Sequence, residues 1–337
     1  MAIRGKIFVA LLLALALVAL TPAFAADRES LGDAWWTGPL QTPSANTIPK
    51  NHWYIETYFV AEQDNGVYGN NGTKYGANSA AAHALGMPGY DNNYNQETLM
   101  TYGVANNFNA QILTEFGGTQ GGTGVATSPG ISVELVRIRT PYRLVKYKEG
   151  KPWPSFTVVP EVNVPVGGES VWKPGIGFWA IRPFWLPNGR ILRPRVSEDI
   201  WFPKGGKNVS TASNPACLVN NVAATTCSLD TAKYAKTQIG VEYSLTKKWV
   251  PAFDFVIGNY GGQNKYNGVA AQGITGFTAA GVPVMGALAG TRGYAIDPAL
   301  EYNFTDNTGI IFGVEVTVGG TNAGSYIAPQ IALQWFK

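Results

Sequence analysis

Tyr326-Ile327-Ala328-Pro329-Gln330-Ile331-Ala332-Leu333-Gln334-Trp335-Phe336 decides how this chain folds. Ile327, Pro329, Ile331, Leu333 and Trp335 share one parity, and Ala328, Gln330, Ala332 and Gln334 share the other. Strict alternation marks a strand with one apolar face. Residues 309–318 repeat the pattern: Ile310, Phe312, Val314 and Val316 oppose Ile311, Gly313, Glu315 and Thr317. In residues 237–245, Ile239, Val241, Tyr243 and Leu245 oppose Gln238, Gly240, Glu242 and Ser244. In residues 249–257, Trp249, Pro251, Phe253, Phe255 and Ile257 oppose Asp254.

Working back from these segments, the alternation predicts twelve strands. They lie near 52–61, 97–104, 109–117, 131–143, 154–164, 175–186, 191–202, 235–245, 248–258, 293–303, 308–318 and 326–336. Even-numbered strands are followed by short turns such as Pro187-Asn188-Gly189-Arg190 and Thr305-Asp306-Asn307. Odd-numbered strands are followed by Gly-rich connections, and those at 62–96, 203–233 and 260–290 are long. Short turns on one side and long loops on the other characterise outer-membrane barrels. The expected fold is all-β: a transmembrane antiparallel barrel with short periplasmic turns and long extracellular loops. Tyr102, Tyr243, Tyr302 and, more loosely, Tyr142 each precede a turn by a similar distance. That spacing suits an aromatic girdle at the membrane–water interface.

Composition agrees. Of 337 residues, 14% are charged and 12% aromatic, with 40 glycines. Soluble domains carry about 25% charged residues. A soluble sandwich would show Lys and Glu on its outer faces, whereas the polar face here is mostly Gly, Ala, Ser and Gln. After the first 20 residues there is no apolar run long enough for a membrane helix.

Residues 1–25 read as a signal peptide. Arg4 and Lys6 precede the apolar stretch Ile7–Leu20, and Ala23-Phe24-Ala25 forms the cleavage site. Cleavage removes two of the 25 basic residues and none of the 22 acidic ones, leaving a net charge of +1. With no basic block, a nucleic-acid partner is not expected. The remaining chain divides into a periplasmic segment at 26–50 and the barrel at 51–337. Trp35, Trp36 and Pro39, Pro43 and Pro49 make the first segment either a short plug or a disordered lead. The exported location makes a disulfide between Cys217 and Cys227 plausible chemistry.

Most strand charges fall on the polar face, which lines the lumen if the apolar face meets lipid. The lumen candidates are Glu56, Glu115, Glu161, Arg193, Arg195, Asp199, Glu242, Asp254, Asp297, Glu301 and Glu315, with Gln330 and Gln334. Arg137, Arg139 and Arg182 join them if strands four and six keep their register, which bulges would change. Two readings stand: ion pairs that fill a narrow lumen, or an acidic wall facing an Arg ladder that selects a solute. Pro160, Pro194, Pro251, Pro298 and Pro329 sit on the apolar face and predict interrupted ladders. The apolar loop 260–290, with Ile274, Phe277, Val282, Val284, Met285 and Leu288, is expected over the mouth or in the lumen.

No catalytic or metal constellation emerges. His52 and His83 lie at a strand start and in a loop, where neither serves a Ser–His site on the barrel wall. No enzyme activity and no cofactor are expected.

Four stretches carry a family resemblance. They are Trp35-Trp36-Thr37-Gly38-Pro39-Leu40 with His52-Trp53-Tyr54-Ile55-Glu56; Tyr102-Gly103-Val104; Tyr142-Arg143-Leu144 through Val158-Val159-Pro160-Glu161-Val162-Asn163-Val164-Pro165-Val166-Gly167; and Tyr302-Asn303-Phe304-Thr305-Asp306-Asn307. With these the chain resembles the "MetA-pathway of phenol degradation" family of outer-membrane proteins. The resemblance implies a channel or transporter for small, hydrophobic or aromatic solutes, and carries over no binding residues. The alternative function is a structural or adhesive surface barrel that binds through its loops. Expected partners are outer-membrane lipid, a small-molecule solute and the barrel-assembly machinery. Leu333-Gln334-Trp335-Phe336 resembles the aromatic-ending signal for that machinery, with Lys337 one residue beyond it.

Overall fold

The computed structural model describes residues 38, 40–77, 92–120, 128–166, 171–204, 206–210, 226–230, 232–261, 265–266, 269–270, 272–277, 283–287 and 290–337. The signal segment 1–25, His83 and Cys217 lie outside them.

Twelve strands form the barrel. They are β1 (Trp53–Tyr68), β2 (Asn92–Ala105), β3 (Phe108–Gln120), β4 (Ser128–Arg139, continued at Tyr142–Val145), β5 (Ser155–Val164) and β6 (Lys173–Ile181, continued at Phe184–Trp185). Then follow β7 (Ile191–Trp201), β8 (Tyr234–Tyr243), β9 (Trp249–Gly261), β10 (Arg292–Asn303), β11 (Thr308–Thr321) and β12 (Ala323–Phe336). Each strand pairs antiparallel with its chain neighbours, and β12 closes on β1 from Tyr54↔Phe336 onward. Trp53 and Lys337 exchange backbone hydrogen bonds of 2.7 and 2.9 Å, so the barrel begins and ends at the short-turn rim.

All twelve predicted segments are strands, and the differences lie mainly at the long-loop rim. There β1 runs on to Tyr68 and pairs back with Lys74–Gly76. The β11–β12 connection, expected at 319–325, is a tight turn at Asn322, whose φ is 49°. The loops after β7 and β9 share a small sheet: Gly206–Ser210 pairs with Thr226–Asp230, which pairs with Lys265–Tyr266. Residues Gln272–Phe277 and Pro283–Ala287 form a separate hairpin. The side chains expected to make loop 260–290 a lid lie outside the described residues, as does the side chain of Cys227.

Each in-strand proline coincides with a lapse in one ladder, because proline has no N–H to donate. Opposite Pro160, β4 breaks at Thr140–Pro141; opposite Pro194, β6 breaks at Arg182–Pro183. The β8–β9 ladder stops before Pro251. Pairing of β10 with β11 skips Asp297–Pro298, and pairing of β12 with β1 skips Ala328–Pro329; neither changes register. The wall therefore tolerates proline by losing local bonds without slipping.

Aromatic rings meet across the strands near the short-turn rim. Trp53 packs on Tyr102 at 4.7 Å, Trp249 on Tyr302 at 4.5 Å and Phe108 on Tyr142 at 6.4 Å between ring centroids. Three of the four turn-proximal tyrosines thus have an aromatic partner directly opposite.

Candidate functional site

The alternation places polar side chains inside the barrel, where an internal cavity of about 810 Å³ runs among them. Two kinds of wall face each other across it.

The wall from β4 to β8 carries cations. Glu242 is fully buried between Arg193 and Arg195; Arg193 donates to it through Nε and Nη2 at 2.7 and 2.8 Å. Arg195 donates Nε to the same carboxylate at 2.8 Å. Glu161 accepts from Arg139 Nε at 3.1 Å, and Arg137 Nε binds Asn163 at 2.6 Å. Fixed ion pairs of this kind satisfy charges that burial would otherwise penalise. Aromatic rings interleave with them. The Arg137 guanidinium lies 5.1 Å from the Trp201 ring, and Arg139 lies 5.7 Å from that of Trp179. Both distances suit cation–π contact. Trp201 also stacks on Tyr234 at 4.9 Å, and Trp179 donates Nε1 to Asp199 at 2.9 Å. Glycines make room for these rings: a Cβ on Gly175 would lie 2.7 Å from Trp201, and one on Gly177 would lie 3.0 Å from Trp179 Nε1.

The wall from β10 round to β3 carries carboxylates held by amides and hydroxyls. Gln334 donates to Glu56 at 2.7 Å, Gln330 to Asp297 at 2.7 Å, and the Tyr326 hydroxyl to Glu315 at 2.7 Å. Glu115 lines the cavity directly opposite Glu97 on β2.

The described part of the N-terminal segment runs between the two walls. The Gly38 N–H donates to Glu301 at 3.3 Å. Gln41 and Thr42 give their backbone N–H groups to Asp254 at 3.0 and 3.3 Å, and the Thr42 hydroxyl donates to the same carboxylate. Gln238 binds the Gln41 carbonyl at 2.6 Å, and Lys236 Nζ reaches Gln41 Oε1 at 3.3 Å. Leu40 packs with Ile311 and Ala332, and Ala45 with Val159, Trp179 and Ile181. The Thr157 hydroxyl donates to the Ala45 carbonyl at 2.6 Å. Thr47 then reaches the β2–β3 turn at the Asn106 carbonyl, 2.7 Å away. Glycines cradle this path too. A Cβ on Gly240 would lie 2.8 Å from Thr42 Oγ1, and one on Gly313 would lie 2.5 Å from Leu40.

The geometry therefore groups the predicted residues in three ways. Glu161, Arg193, Arg195, Asp199 and Glu242 belong to the cationic wall. Glu56, Glu115, Asp297, Glu315, Gln330 and Gln334 belong to the acidic wall. Asp254 and Glu301 hold the N-terminal segment. Arg137 and Arg139 stand in the lumen, because the β4 break comes only after Arg139. Arg182 sits at the β6 break over the Phe184 ring, 4.8 Å from its centroid. His52 stacks on Phe336 at 5.4 Å at the short-turn rim. Trp179, Trp201, Tyr234, Lys236 and Glu97 also shape the lumen and were not singled out by the sequence, while Gln238 lines it as its place on the polar face of residues 237–245 implies. Their parity within each strand was the available signal, but an aromatic on the polar face reads as a lapse in the pattern.

No family model matches the chain, and no curated protein does. Solved structures do. An outer membrane channel from Pseudomonas putida F1 superposes with a TM-score of 0.63 at 11% identity, covering 88% of this chain and 100% of that one. The β domain of the Bordetella autotransporter BrkA reaches 0.45 at 10% identity over 85% and 99%. The toluene transporter TbuX from Ralstonia pickettii reaches 0.38 at 11% identity over 92% and 98%. The first likeness is one of fold, and it makes this chain an outer-membrane-type β-barrel.

Proposed function

We propose that the protein is an outer-membrane channel or transporter for small solutes, with its N-terminal segment as the constriction. The carrying observation is the lumen itself: a cavity of about 810 Å³ crossed by a segment that polar side chains and glycines accommodate. In this reading the short turns are periplasmic, the long loops extracellular, and a cleaved signal peptide delivers the chain.

The finer reading is a small hydrophobic or aromatic solute, consistent with the resemblance to the phenol-degradation family. Trp179, Trp201 and Tyr234 support it by setting π faces among the lumen guanidiniums. Such a mixed surface suits a flat solute with one polar group. Planar-bilayer recording tests the proposal. Discrete openings that an aromatic solute partly blocks are expected, with weaker block after Trp201→Ala. A closed lumen under all conditions would overturn it.

A second reading has one supporting observation. The loops after β7 and β9 pair into their own sheet, an ordered surface suited to a structural or adhesive barrel. A sealed lumen together with loop-dependent binding would favour that function.

A further inference from the structure

The charges of this chain are unevenly divided between its two rims. At the short-turn rim lie residues 50–52, 106–107, 146–154, 186–190, 244–248, 304–307 and 337. They carry eight Lys and Arg side chains against two carboxylates. The three long connections at 62–96, 203–233 and 260–290 carry five against four. Outside the signal segment the net charge is only +1, so the whole basic excess stands at the short-turn rim.

The cations are densest in the connection from β4 to β5, the longest of the short turns. Leu144 and Val145, 56% and 40% exposed, end the continuation of β4. Lys146, Lys148 and Lys151 follow, all exposed, with Glu149 the one carboxylate among them. Trp153, 69% exposed, precedes β5. The turn is held in shape. The Tyr147 N–H donates to Ser155 Oγ at 2.9 Å, and the Lys151 N–H donates to the Lys148 carbonyl at 3.1 Å. Gly150 closes it at a φ of 76°, which a side chain would strain.

Depth follows from the aromatic girdle, to which Tyr142 belongs through its contact with Phe108. Lys146 lies four residues beyond Tyr142. At about 3.3 Å per residue along a tilted strand, that is roughly 10 Å further out. The headgroup layer is about 5–8 Å thick on each side of the hydrocarbon. A lysine stem lies along apolar surface with its ammonium at the polar boundary, so these lysines reach lipid phosphates. An exposed Trp beside them is the side chain that sits best at that boundary.

We propose that the β4–β5 turn is a binding site for an acidic glycerophospholipid. Lys146, Lys148 and Lys151 hold its phosphate, and Trp153 lies against its glycerol region. Charge complementarity carries the assignment. Three cations within six residues suit a headgroup of net negative charge, whereas a zwitterionic headgroup brings a cation of its own. In the proposed orientation these turns face the periplasmic leaflet, which is built of phospholipid. The proposal rests on that orientation and is independent of what passes through the lumen.

Native mass spectrometry of the full-length protein in detergent tests it, with phosphatidylglycerol or phosphatidylcholine of the same acyl chains as the probe. Each lysine near an acidic lipid contributes roughly a factor of five. Wild type should therefore retain phosphatidylglycerol at least about tenfold over phosphatidylcholine. Lys146→Gln/Lys148→Gln/Lys151→Gln should bring the ratio close to one, and Trp153→Ser should lower retention of both lipids. Lys204→Gln/Lys207→Gln/Lys265→Gln, on the long-loop side, should keep the wild-type ratio. Circular dichroism checks the barrel in each variant. Raised salt gives a second reading on wild type, whose ratio should fall as the charges are screened. Equal retention of the two lipids by wild type, or a ratio indifferent to salt, would overturn the site. So would an unchanged ratio in the β4–β5 variant, or a ratio lost equally in the long-loop variant, since diffuse charge and not this turn would then attract the lipid.

Discussion

The two walls of the lumen solve the same problem differently. From β4 to β8, buried carboxylates are matched by arginines, and Glu242 binds two of them. From β10 round to β3, carboxylates take their bonds from Gln330, Gln334 and Tyr326. The first wall is locked by charge pairs. The second keeps an excess of negative charge and holds it with neutral donors. The N-terminal segment joins the two, since Ala45 lies on the first wall and Leu40 on the second. The lesson is a division of labour: a rigid paired wall, an acidic wall, and a polar-held segment between them.

The largest effect expected from breaking this contrast is on the paired wall. Glu242→Gln leaves Arg193 and Arg195 without their shared carboxylate, and stranding buried charges costs about 3–5 kcal/mol. Urea unfolding in lipid vesicles should report that loss, and a change below about 1 kcal/mol would mean that water already screens the pair. Next comes the segment. Thr42→Ala removes a buried hydroxyl from Asp254 and should loosen its hold by about 1–3 kcal/mol. The expected readout is a higher open probability in bilayers with barrel melting nearly unchanged. Gly240→Ala should act in the same direction by steric means, because its Cβ would press on Thr42. The smallest stability effect belongs to the acidic wall. Gln334→Leu deprives Glu56 of one neutral donor, for about 1 kcal/mol. That wall should show itself in selectivity instead. Reversal potentials in a salt gradient should indicate preference for cations, reduced in Glu97→Gln/Glu115→Gln. Anion preference in the wild type would contradict the distinction between the walls.

Much of this was legible in the sequence because lipid imposes a one-sided rule. Every strand that crosses it must show an apolar parity, and residues 327–335 show it without a lapse. The rule weakens where lipid ends. The extensions of β1 and β11, and the sheet shared by two loops, have no apolar face to announce them. It also fails at Thr140–Pro141 and Arg182–Pro183, where breaks in β4 and β6 blur the parity of Arg137, Arg139 and Arg182. Gly38, Leu40 and Thr42 were unreadable for another reason. Their partners lie about 150 to 300 residues away on several strands, so no local pattern encodes the contact.

A reversible lock gives the most direct test of the segment as the constriction. Thr42 Cβ lies 2.9 Å from where a Cβ on Gly240 would stand, so a disulfide between Thr42→Cys and Gly240→Cys needs a shift of about 1 Å. Single-channel conductance would be recorded on one oxidised preparation before and after a reductant is added. If the segment gates the lumen, conductance is low while the bond holds and rises when it is cut, with wild type insensitive to the reductant. Equal conductance before and after would show that solutes pass the segment without moving it, and would contradict the account.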